Sequence, residues 1–174
     1  MRIIEKILIA LAAVALVFKI SHYLGGGIMI VISLMMLSWL YMFLGFALFN
    51  GLGFRQLIKN ESYKGIHAKQ IIHAIAAGLA ASVSLVGIVF KVQYWPGASF
   101  QLLDGIITGA IVLVITFVSF IKQRKPLHMR IFARLLPITL LSIIFYLTPT
   151  TLLFKIQRTS PEIQAQILAD PAYH

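Results

Sequence analysis

Four stretches of this chain contain no Asp, Glu, Lys or Arg: residues 20–54, 70–90, 105–121 and 135–154. About 20 apolar residues cross a bilayer core as a helix, and the third stretch reaches that length when extended back through Asp104. Within lipid, only helices and closed barrels satisfy every backbone N–H and C=O, and these runs are too long and continuous for barrel strands. The chain is therefore expected to be all-α, a polytopic membrane helix bundle. Composition agrees: 60% of the 174 residues are hydrophobic and only 11% are charged. A soluble domain carries about 25% charged residues to coat its water-facing surface.

A fifth run, Ile7 to Phe18, is shorter, with 12 uncharged residues. It reaches spanning length if Lys6 and Lys19 lie at its ends and snorkel toward the headgroups. The competing reading is a signal peptide, with Arg2 and Lys6 as n-region, Ile7–Ala12 as h-region and Ala13-Val14-Ala15 as cleavage site. With the run retained, five transmembrane helices are predicted at roughly 5–22, 27–50, 69–92, 98–121 and 132–154. The organisation is then a first hairpin (1–50), a basic loop (51–68), a second hairpin (69–121), a basic loop (122–131), a fifth helix (132–157) and a short tail (158–174). In the tail, Ser160-Pro161-Glu162 reads as a helix start and Asp170-Pro171 as its end.

Charge placement orients the bundle. With the N-terminus inside, eleven of the fifteen Lys and Arg fall on the cytoplasmic side. Lys19, Lys91, Lys155 and Arg158 fall outside, which is the positive-inside pattern. The expected location is a bacterial inner membrane, with the C-terminus periplasmic. The net charge of +10 is accounted for by this asymmetry, so no nucleic-acid partner is expected.

The chain also repeats itself. Three helices are predicted to end on Phe-Lys-Ile or Phe-Lys-Val: Phe18-Lys19-Ile20, Phe90-Lys91-Val92 and Phe154-Lys155-Ile156. Residues 18–47 and 90–119 correspond without a gap, so the architecture reads as hairpin, hairpin and half unit. In the second copy Tyr94, Trp95, Pro96 and Gly97 form an interfacial turn: aromatic anchors, a proline at the next helix start, and a glycine for close approach. In the first copy Tyr23, Leu24 and Gly25 take the places of Trp95, Pro96 and Gly97.

Few residues could carry chemistry. Lys19, Lys91 and Lys155 share one predicted depth, and with His22 they could line an outer, anion-binding or proton-sensitive mouth. Equally, each is explained as a lysine snorkelling from a helix end. Asp104 is read as the only acid within a span. It shares a stripe with Gly97, Gln101 and Thr108, and its candidate roles are an ion pair with Lys91 or Lys19 or a proton-handling carboxylate. Gly105 and Gly109 make a GxxxG helix-packing step, as do small residues around Gly78 on the third helix. His67 and His73, six apart, do not share a helix face, so no metal site is expected; His128 is expected in a solvated basic loop. There are no cysteines, which excludes thiol chemistry and Cys-ligated metals, and no cofactor motif is present.

The run Phe90-Lys91-Val92-Gln93-Tyr94-Trp95-Pro96-Gly97-Ala98 resembles the turn of the N-terminal membrane hairpin of the Bacteroidota gliding-motility family GldL. That turn reads approximately Phe-Lys-Ile-x-His-Trp-Pro-Gly-Ala. The last four residues match here, and the first copy keeps the histidine as His22. The resemblance covers roughly residues 7–47 and 78–119. It implies a membrane hairpin of the kind used in the motor of gliding and type IX secretion. It also implies a proton-handling glutamate midway along the second helix, but Gly109 and Leu37 stand at the two matching positions, and the family's long cytoplasmic tail has no counterpart. The expected function is a non-enzymatic subunit or scaffold of a membrane complex, with the lipid bilayer and either a membrane-protein partner or further copies of the chain around it. The alternative is a small proton- or ion-conducting protein using the outer lysines and Asp104.

Overall fold

The computed structural model describes residues 1–53, 56 and 67–170, without the Arg2 side chain. Arg55, Lys59 and Lys64 of the predicted basic loop, and Pro171 of the tail, lie outside the described residues. Among the described residues seven helices follow in order: α1 (Arg2–Ile20), α2 (Gly26–Asn50), α3 (Ala68–Val92), α4 (Ala98–Lys122), α5 (Pro126–Leu147), α6 (Thr150–Ile156) and α7 (Pro161–Ala169). Among the described residues there is no strand. Helices α2 to α5 are each long and apolar enough to cross a membrane. The 19-residue α1 carries Glu5, Lys6 and Lys19 and is the most charged of the five long helices for its length.

Helix α3 is the centre of the bundle, packing on α2, α4 and α5, while α1 packs chiefly on α2. Small residues make these approaches close, the usual device where lipid offers no hydrophobic drive between helices. A Cβ built on Gly45 would stand 2.9 Å from the Gly78 Cα, and one on Gly78 would collide with the Tyr41 carbonyl oxygen. Beside them Ser38 and Ser82 share a hydroxyl hydrogen bond of 2.7 Å between α2 and α3. On the other side of α3, the Ser84 hydroxyl donates to the Gly105 carbonyl oxygen at 3.1 Å. Gly109 meets Thr139 of α5, so the two members of the GxxxG step serve different neighbours within the chain.

Two boundaries differ from the sequence reading. The fifth helix begins at Pro126, because proline at the first helical position loses only an N–H that would be unpaired anyway. The loop expected at 122–131 thus shrinks to residues 123–125, and His128 and Arg130 move into α5. That helix does not run on to Phe154. Thr148 precedes Pro149 and is extended (φ −75°, ψ 117°), the conformation a following proline imposes, so the chain restarts as α6.

Candidate functional site

The three Phe-Lys segments form the same backbone structure. In each, the residue four beyond Phe has positive φ although it is not glycine: His22 (60°), Tyr94 (55°) and Arg158 (44°). In each, the next residue donates its N–H to the Phe carbonyl: Tyr23 to Phe18 at 2.9 Å, Trp95 to Phe90 at 2.8 Å, and Thr159 to Phe154 at 3.0 Å. The left-handed residue donates in turn to the Lys carbonyl, at 3.2, 3.4 and 3.3 Å. This is the Schellman ending of a helix, with Phe at C3 and Lys at C2. Its customary hydrophobic contact is aromatic in the first two copies, Phe18 on Tyr23 (5.4 Å) and Phe90 on Trp95 (5.2 Å). The motif is a helix stop, and the phenylalanine is there to cover the residue that closes it.

The three stops also hold one another. Lys19 Nζ donates to the Val92 carbonyl oxygen at 2.8 Å and to Gln93 Oε1 at 2.9 Å. Gln93 Nε2 donates back to the Gly27 carbonyl oxygen at 2.6 Å. From the third copy, Gln157 Nε2 reaches the same Val92 oxygen at 3.3 Å, and Phe154 stacks on Tyr94 at 5.0 Å. Thr159 adds a hydroxyl contact to the Tyr94 phenol, whose burial there holds its pKa above the ordinary tyrosine value.

This network replaces the outer mouth expected from the lysines. Lys19 is turned against α3, and Lys91 is buried with its Nζ 3.5 Å from the Thr150 hydroxyl. His22 and Lys155 are exposed and take no part. Trp95, Pro96 and Gly97 are exposed in the turn, and Gly97 has the positive φ of 80° that favours its residue type.

Asp104 does not pair with either lysine. It lies six residues into α4, about 9 Å along the helix, and is exposed with no side-chain partner among the described residues. Its backbone carbonyl accepts the Thr108 hydroxyl at 2.7 Å. Phe100, Leu103, Ile107 and Ile111 are exposed around it, so the carboxylate stands in an apolar outer face.

A buried ion pair at the other end of the bundle was not anticipated. Glu5 of α1 is 5% exposed. It accepts Arg134 Nε at 2.5 Å on Oε1 and Arg134 Nη2 at 3.0 Å on Oε2. The Tyr41 hydroxyl of α2 donates to the same Oε1 at 2.7 Å. Arg134 also donates from Nη1 to the Arg130 carbonyl oxygen at 3.3 Å and lies over the Phe49 ring, 5.9 Å from its centroid. Burying two charges costs several kcal/mol each unless geometry and further hydrogen bonds offset it; here a bidentate fork and a phenol do so. Asp104 is therefore not the only acid within the helices. The sequence signal was Pro126: read as a helix start, it places Arg134 about 12 Å inside α5 instead of about 3 Å from its beginning.

The histidines are also rearranged. His128 is buried, not solvated, with Nδ1 lacking a hydrogen-bond partner among the described residues, and its ring lies 5.7 Å from that of His73. His73 Nε2 is 2.8 Å from the Thr116 hydroxyl, and because that hydroxyl donates to the Val112 carbonyl, the imidazole N–H is the donor to Thr116. His67 is separate, at the start of α3.

The chain matches no protein-family model, no curated protein and no solved structure.

Proposed function

We propose that this chain is a non-enzymatic, multi-pass subunit of a membrane complex, built from a duplicated hairpin of the GldL type. In this reading it sits in a bacterial inner membrane of the Bacteroidota kind, with the N-terminus cytoplasmic and the three helix stops on the periplasmic face. The repeat supports the hairpin kinship, because both turns share the Schellman stop, the aromatic cover and a left-handed glycine seven residues after Phe. The motor's proton step does not carry over. A Cβ on Gly109, where that family has its glutamate, would stand 2.6 Å from Thr139 Oγ1, and Leu37 at the other matching position is buried. An ion path using Lys19, Lys91 and Asp104 is disfavoured for the same kind of reason: Lys19 is tied into the cap network, Lys91 is buried beside Thr150, and the carboxylate is exposed away from both.

The observation that carries the subunit reading is Asp104. A carboxylate facing lipid is expensive, and such residues normally face protein or water. With no pairing group among the described residues, Asp104 marks the side of α4 that a partner helix covers. Because the chain has no cysteine, single cysteines can report on this directly. Cysteine at Leu103 or Ile107 is expected to cross-link to a partner in native membranes. Cysteine at Ile32, equally exposed on α2, is expected to remain uncross-linked. Equal behaviour at the three positions would remove the proposal.

A further inference from the structure

The Glu5–Arg134 pair lies at one end of a slot of about 430 Å³ between α1, α2, α3 and α5. The lining runs along α5 from Ala133 to Phe145, about 18 Å, and along α1 from Glu5 to Leu16. The space is therefore longer than wide, and apart from Glu5, Tyr41 and Arg134 every lining side chain is apolar. Volumes of 300–1,000 Å³ with apolar walls and a few convergent polar groups are typical of ligand sites. The slot opens sideways between α1 and α5, where Ile9 and Leu141 at its rim are 49% and 42% exposed.

Arg134 has hydrogen-bonding capacity left over. Of the five guanidinium N–H groups, one on Nε and one on Nη2 go to Glu5, and one on Nη1 goes to the Arg130 carbonyl. One N–H on each terminal nitrogen remains to donate to an oxyanion. Pro137, three residues on, has no N–H to give the Ala133 carbonyl, so the helix is already open on the slot side of Arg134. Exposed Lys6 adds positive charge at the same end of α1. Glu5 offsets the charge of Arg134, so the polar end offers hydrogen-bond donors with Lys6 near by, and the remainder is shaped for a hydrocarbon chain entering from the bilayer.

We infer that the slot between α1 and α5 holds one acyl chain of a bilayer phospholipid, whose phosphate oxygens are bound by the spare N–H pair of Arg134. A phospholipid is the occupant that the side opening selects, since its headgroup stays at the membrane surface while one chain enters from the leaflet. A free fatty acid offers the same oxyanion and chain, and the two are separable by mass.

The test is native mass spectrometry of the full chain purified in detergent, with phosphatidylglycerol or oleate added. The expected result is one retained phosphatidylglycerol per chain. Ala13→Trp, at the exposed rim of the slot, should abolish its retention, whereas Phe100→Trp on the outer face of α4 should leave it intact. Arg134→Lys, which keeps the charge and loses the fork, should weaken it about tenfold. Undiminished retention in Ala13→Trp would overturn the site, and preferential retention of oleate would overturn the phospholipid. If Arg134→Lys fails to fold, the rim variant alone decides the matter.

Discussion

Arg134→Met is expected to be the most damaging single substitution in the chain, costing about 3–5 kcal/mol. It leaves the Glu5 carboxylate buried with only the Tyr41 hydroxyl for company. An uncompensated charge in that position is far worse than no charge at all. Adding Glu5→Gln to the same chain should therefore restore more than half of the loss, because the amide oxygen still accepts from Tyr41 and no net charge is buried. Thermal unfolding of the single and double variants in detergent, followed by circular dichroism, measures both. If the two substitutions prove additive, the pair is not coupled and the account of this end of the bundle is wrong. The effect is large because α1 has few other holds. It packs chiefly on α2, and this pair and the Lys19 bonds are its polar ties to α5 and α3.

The second large effect is expected at the α2–α3 contact. Gly78→Val places a branched side chain where even a Cβ meets the Tyr41 carbonyl oxygen, and backbone cannot step aside as a flexible side chain can. The helices must separate, which costs about 1–3 kcal/mol for overpacking and stretches the Ser38–Ser82 hydrogen bond. Tyr41 would move with its helix, so the hydroxyl on Glu5 would be disturbed as well. Leu79→Val, one residue away on the exposed side of α3, is the matched control and should change stability by no more than about 0.5 kcal/mol. Comparable melting of the two variants would show that the contact does not set the packing.

Helix positions could be read from the sequence wherever apolar runs met turn residues. The limits of α2, α3 and α4 lie within a residue or so of the expected ones, since glycine, proline and the Phe-Lys stops punctuate them. The fifth helix was misjudged at both ends for one reason. Proline can open a helix or break one, and composition alone does not say which role Pro126 and Pro149 take. The repeat was visible as residues, but its meaning was not. Phe18, Lys19 and His22 looked like an aromatic, a cation and a titratable group, whereas their shared property is backbone geometry.

The site was harder still. Lys19 and Lys91 invited pairing with Asp104 because opposite charges at similar depth attract. Which face of a helix a residue takes depends on neighbours remote in sequence, and α4 turns Asp104 outward. Glu5 and Arg134 are 129 residues apart and meet only because α1 and α5 flank the same slot. No local pattern announces such a pair. The expected solvation of His128 failed similarly, as its burial follows from α5 packing on α3 and α4.

In the proposed topology α1 crosses the membrane together with α2 to α5, and all three Phe-Lys stops lie on its outer face. Single cysteines at Lys6, Tyr23, Trp95, Gln123 and Arg158, labelled in intact cells with a membrane-impermeant maleimide, address it directly. Tyr23, Trp95 and Arg158 are expected to label from outside, and Lys6 and Gln123 only after the membrane is permeabilised. Labelling of Lys6 from the same side as Tyr23 would contradict the claim, because α1 would then lie on the membrane instead of crossing it.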